Sequence, residues 1–232
     1  MLTIGVLGGM GPAATADYFS RLVVAVGASH DQGHPEVLIY SASHIPDRTL
    51  HLLEGGEDPT VPLQQAARLL EGAGAGLIAM PCNSAHAYHA AIQAVVDVPV
   101  LDMIALTAAR LRSRFDKGTR VGTLAASATI RLGLYGQRYE EVGLVPVNPT
   151  PVAQDGVMAA VRAIKGGHRG ADFRIDAAIG EMVREGAEVL VLGCTEIPLA
   201  VEAASQPVPV VDATEVLIEE TLRAADVPVG RS

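Results

Sequence analysis

Two cysteines, Cys82 and Cys194, occur in the chain. Each closes an apolar, strand-like run where a helix should begin: GLIAMP leads into Cys82-Asn83-Ser84, and VLVLG into Cys194-Thr195-Glu196. A thiol at a helix N-terminus meets unpaired backbone N–H donors and the positive end of the helix dipole, and both favour thiolate. The pattern reads as a facing pair of reactive thiols. A free cysteine can also be a small buried hydrophobe, but the repetition of the whole unit favours chemistry. A disulfide is disfavoured, because nothing else in the chain points to an oxidising compartment.

Other residues could serve such a pair. Gly9-Met10-Gly11-Pro12-Ala13-Ala14 follows a strand-like run and fits the G-x-G-x-x-G/A fingerprint of dinucleotide sites. Those sites want an acidic residue at the end of the second strand to hold the ribose, and here Val37–Ala42 runs into Ser43 and His44. The glycines instead let backbone N–H groups approach a small carboxylate, which makes Met10 a candidate substrate contact. Arg48 in IPDRT and Lys165 in AIKGG are cations that could hold an anion; the competing reading for each is a solvated surface charge. Asp47 either orients Arg48 or solvates its loop. His86 and His89 lie three apart on the helix expected after Cys82, without the further convergent ligands a metal needs. His86 either positions Cys82 or packs its helix, while His30, His34, His44, His51 and His168 read as loop or surface residues.

These residues must be placed by alternating elements. Runs at Thr3–Gly8, Val37–Ala42, Gly76–Pro81, Val100–Met103, Arg120–Ala125, Leu144–Asn148, Val189–Gly193 and Val208–Asp212 read as strands, separated by Ala-rich helical stretches. The fold class is α/β, with mainly parallel sheets flanked by helices. The two halves look alike, which suggests an old duplication into two pseudo-symmetric domains with the active site in a cleft between them. The expected division is 1–101 plus 208–232 for the first domain and 102–207 for the second, with the last strand and helix returning to the first. Ligands in such sheets bind beyond the carboxyl ends of the strands, where both cysteines fall. Pro12 fits the first position of a helix, Ser84 and Thr195 lie in first turns, and Thr214 with Glu215 opens the last helix.

Composition excludes several classes. At 232 residues and 49% hydrophobic the chain can bury a sizeable core, yet no apolar run reaches the ~18 residues of a membrane span. A net charge of -9 with 3% aromatic residues argues against a nucleic-acid surface. The N-terminus enters a strand directly, with no basic leader, so the expected location is the cytoplasm.

GGMGPAAT, IPDRT, PCNSAH, VGTLAASAT, Lys165 in AIKGG, and GCTEIPL together resemble the aspartate/glutamate racemase family, on the side of its aspartate racemases, almost end to end. The resemblance implies an amino-acid racemase that uses no pyridoxal or other cofactor, commonly a homodimer, with Cys82 and Cys194 as the catalytic pair. Inverting an α-carbon without a carbonyl cofactor needs a base on one face and an acid on the other, which explains two thiols. By resemblance Cys194 deprotonates the L-isomer and Cys82 the D-isomer, and Arg48 and Lys165 bind substrate carboxylate. Backbone N–H groups and side chains around Asn83, Ser84 and Thr195 are suited to donate to the α-carboxylate as charge develops there, and Ser127 is a further candidate substrate contact. The favoured substrate is aspartate; glutamate, a broader range of amino acids, or a non-catalytic carboxylate-binding role are the alternatives.

The sequence departs from that pattern in places. Ser84 stands where Thr is usual and keeps the hydroxyl. Ala126 replaces a hydroxyl and Ala128 a glycine, leaving Ser127 and Thr129 as donors. Ala105 and Leu106 stand where acidic residues are usual, and Val152 replaces an acidic residue before Gln154. The catalytic pair is untouched, so these changes bear on the side-chain specificity.

Overall fold

A computed structural model of the protein describes residues 1–168, 172–201, 203–228 and 230. The chain divides into two compact units, Met1–Met103 with Thr214–Ser232, and Ile104–Ala213.

In the first unit, the central strand is an uninterrupted apolar run, as expected for a parallel strand covered on both faces. Strand β1 (Ile4–Gly8) is buried throughout and is flanked in parallel by β2 (Val37–Ser41) and β3 (Leu77–Ala79), giving the order β2-β1-β3. Helix α1 (Pro12–Val26) starts with Pro12 inside its first turn and Gly11 as its cap. Helices α2 (Arg48–Glu54), α3 (Thr60–Gly72) and α4 (His89–Gln93) complete this part. The run expected as a strand at Val100–Met103 makes only a single parallel bridge, Val100 to Ile78. Met103 already belongs to the next helix, and its N–H donates to His86 Nε2 (3.0 Å) rather than to a neighbouring strand.

The second unit repeats the plan. Helix α5 (Met103–Arg114) leads to β4 (Arg120–Ala125), α6 (Ser127–Arg131), α7 (Leu134–Glu141), β5 (Val145–Val147), α8 (Pro151–Lys165), α9 (Asp172–Arg184), β6 (Val189–Gly193) and β7 (Val210–Asp212). Its sheet is parallel with the order β5-β4-β6-β7, and Ala125 is in register with Gly193. The last strand therefore belongs to the second sheet and not, as the sequence suggested, to the first domain: Leu190, Val191 and Leu192 pair with Val210, Val211 and Asp212. An open edge was available at β6, and the chain reaches it after a short excursion.

Only the final helix, α10 (Ala213–Ala224), joins the first unit. Tyr18 on α1 donates to Thr221 Oγ1 (2.8 Å), the Thr221 hydroxyl in turn donates to the Leu217 carbonyl (2.7 Å), and Leu2 N–H donates to the Ala225 carbonyl (2.9 Å). Burial of the Tyr18 ring, the larger effect, drives its hydroxyl pKa well above the ordinary tyrosine range. Among the described residues, no helix is long and apolar enough to cross a membrane.

Candidate functional site

In the first unit the carboxyl end of β1 turns sharply. Gly9 has φ 89, and a Cβ there would run into the backbone of Ala42, so only glycine fits. Thr15 ties the turn: its hydroxyl accepts from Gly9 N–H (2.8 Å) and donates to the Gly11 carbonyl (2.9 Å). Met10 is buried, and its carbonyl oxygen is where two side chains of this unit meet. It accepts from an Arg48 terminal nitrogen (3.1 Å) and faces Cys82 Sγ (3.5 Å).

Cys82 follows β3 and caps a 3-10 turn, Asn83–Tyr88, where an α-helix was expected. Its sulfur also lies 3.7 Å from Ser84 Oγ. Asn83 is buried beside it and Ser84 half-buried. His86 does not touch the sulfur. Its Nε2 accepts from Met103 N–H, which leaves Nδ1 as the protonated nitrogen, donating to the Cys82 carbonyl (2.9 Å). Burial, the largest cause, lowers the His86 pKa and keeps the ring neutral. His86 thus fixes the Cys82 backbone. His89 stacks on His86 and bonds the Val100 carbonyl (2.7 Å), so both rings serve the backbone.

Arg48 is no surface cation. At 6% exposure it sits in the first turn of α2, which Asp47 caps by accepting from Leu50 N–H (2.9 Å). Its guanidinium holds the carbonyls of Ile45 (3.3 Å), Pro46 (2.9 Å) and Met10. Its Nε is buried and has no hydrogen-bond partner among the described residues. His51, read from sequence as a loop or surface residue, is on α2 and bonds Tyr88 Oη (2.6 Å).

The second unit builds its counterpart with different chemistry. A Cβ at Gly193 would come within 2.9 Å of the Tyr135 ring, so the close-packed strand end needs glycine. Cys194 follows it and enters a turn ending in the short 3-10 segment Ile197–Leu199. Its sulfur donates to Glu196 Oε2 (3.1 Å), as Thr195 Oγ1 does (3.4 Å). Lys165, 38% exposed at the end of α8, reaches Glu196 Oε1 (3.8 Å). Burial, and after it the Glu196 carboxylate, raise the Cys194 pKa well above the ordinary thiol value, against a smaller opposing effect of Lys165. The expected dipole-lowered thiol is therefore not found at Cys194: the turn is too short for an α-helical dipole, and a carboxylate is its nearest charge.

Glu196 was quoted in GCTEIPL yet given no role, although its place two residues past Cys194 was a usable signal. Gln154 was missed as well. Its amide nitrogen donates to the Ala125 carbonyl (2.9 Å) and to Ser127 Oγ (3.1 Å), while its Oε1 is buried without a partner among the described residues. Ser127 N–H is left with the thioether of Met158 (3.3 Å), a weak acceptor. Ala126 caps α6 without a side-chain hydrogen bond, since its methyl group has no acceptor to offer. Ala128 is fully buried, whereas Val152 is 83% exposed at the start of α8.

The family model for Asp/Glu/hydantoin racemases matches residues 7–221. The chain belongs to this family. Racemisation, an isomerase reaction, is the chemistry that membership brings. Along the sequence it is 25% identical over 224 residues to the broad-specificity amino-acid racemase RacX of Bacillus subtilis, covering 94% of this chain and 96% of that protein. The aspartate racemase of Picrophilus torridus has a similar structure, with a TM-score of 0.89 at 29% identity, covering 99% of this chain and 96% of the other. An aspartate racemase homologue from Pyrococcus horikoshii follows with 0.78 at 27% identity over 97% and 100%. The two-domain α/β architecture is that of these racemases.

Proposed function

We propose that this chain racemises an acidic amino acid, aspartate foremost, without a cofactor, using Cys82 and Cys194 as the acid and base that exchange roles between directions. The observation that carries this reading is the repeated strand–cysteine turn. Each unit follows a sheet strand with one buried thiol that has a polar partner, Met10 and Ser84 for one, Glu196 for the other. One thiol takes the α-proton and the other returns a proton to the opposite face. Donors from Asn83, Ser84, Ser127 and Thr195 stabilise the enediolate-like charge on the α-carboxylate.

A second carboxylate on the substrate is favoured by the cations. Arg48 keeps a buried Nε without a partner among the described residues, and Lys165 stands half-exposed at Glu196. A broader amino-acid range is the second reading. It is favoured by the uncapped start of α6 at Ala126 and by the Bacillus subtilis relative's broad specificity. The same proposal includes a homodimer and a cytoplasmic location.

Circular dichroism of L-aspartate, L-glutamate and a panel of neutral amino acids with the purified protein tests it. Aspartate signal should decay to zero fastest. Comparable decay across the panel selects the broad enzyme, and no decay with any substrate selects a carboxylate-binding protein.

A further inference from the structure

The two thiols are equally hidden, Cys82 at 4% exposure and Cys194 at 6%, but their electrostatic surroundings differ. Among the described residues, the hydrogen-bond contacts of Cys82 Sγ are the Met10 carbonyl and the Ser84 hydroxyl, neither of them charged. Cys194 Sγ is 3.1 Å from a carboxylate that is itself 3% exposed. A thiolate there would face a negative oxygen across a hydrogen bond that had lost its proton, at a largely buried position where water screens the repulsion poorly. Lys165 approaches the far oxygen of the same carboxylate, at 3.8 Å from a half-exposed position, so it offsets the repulsion only in part.

We propose that Glu196 is a positioning residue that holds Cys194 as the protonated thiol in the substrate-free protein, the state in which it serves as the acid toward a D-isomer. This rests on the two-thiol reading above. The proton of Cys194 is shared toward Glu196 until a substrate carbanion takes it. The charges facing this sulfur are Glu196 from its own turn and Lys165 from α8, and they push in opposite directions.

The opposition provides the test. Iodoacetamide alkylation of substrate-free protein is followed across pH, with each cysteine quantified by peptide mass spectrometry. Cys194 should show the higher midpoint, and at about pH 8 should react at least about tenfold more slowly than Cys82. Glu196→Gln keeps a hydrogen-bond acceptor but removes the charge, and should lower the Cys194 midpoint by about one unit. Lys165→Met should raise that midpoint. Better access alone would change the plateau rate at high pH without moving the midpoint. Equal midpoints in the wild type overturn the proposal. So does a Cys194 midpoint that stays put in Glu196→Gln, or, should that variant not fold, one that stays put or falls in Lys165→Met. Because no turnover is needed, an inactive protein with the asymmetric labelling refutes the racemase reading and leaves the Glu196 assignment standing.

Discussion

The Cys82 turn and the Cys194 turn both place a buried thiol between a strand and a 3-10 segment, with different supports. In the first unit the sulfur is held by backbone: the Met10 carbonyl receives both Arg48 and Cys82, and His86 grips the Cys82 carbonyl. In the second unit the sulfur is held by a charged side chain, Glu196, in turn paired with Lys165. A strand-to-turn junction sets where a thiol stands but leaves free what sets its proton affinity. Two similar strand-end positions therefore carry thiols in unequal surroundings.

The strongest way to break the comparison is to remove each thiol in turn. Cys82→Ala and Cys194→Ala should each lower kcat for racemisation by at least about 10²–10⁴, the contribution of a positioned proton-transfer group, while leaving the thermal melt cooperative. Either variant with near-normal turnover ends the two-base scheme.

The cations should separate next. Arg48→Ala removes the donors to three carbonyls and leaves them partly desolvated, which should cost about 2–4 kcal/mol in urea unfolding. Lys165→Ala breaks a long, half-exposed pair and should cost less than about 1 kcal/mol. Similar losses in the two variants would erase the distinction between a structural and an electrostatic support.

The smallest effect concerns His86, buried neutral with its pKa depressed below the ordinary 6.5. A depressed folded-state value means the unfolded chain binds the proton more readily. The contribution to stability is thus fully present above about pH 6.5 and is lost as pH falls through the folded-state value. The melting temperature should drop more steeply from about pH 7.5 to about 5.5 in the wild type than in His86→Asn. Parallel slopes would show that His86 does not titrate across unfolding.

Much of this was legible in the residues. IGVLG and VLVLG announce strands buried on both faces, and the cysteines that end β-runs stand out because nothing else in the chain repeats in that way. The fate of Val208–Asp212 was not legible, since which open edge a strand joins depends on the sheet already formed. Nor was the role of Arg48, because the carbonyls it holds have no signature in sequence. Glu196 is visible in the sequence two residues past Cys194, but its effect opposes the helix-dipole expectation: the turn is too short to have a dipole, and a carboxylate next to a thiol works in the opposite direction.

Helix α10 packs with the first unit although the whole second unit precedes it in sequence. Docking it closes a segment of roughly 110 residues, which for a free chain costs about 4 kcal/mol, since closure entropy grows as the logarithm of length. A folded second unit fixes the distance between its own ends and removes most of that cost. The Tyr18–Thr221 bond and the Leu2–Ala225 pairing then form against a short tether instead of a long one. The first unit is thus completed by a helix that lies beyond the second unit in sequence.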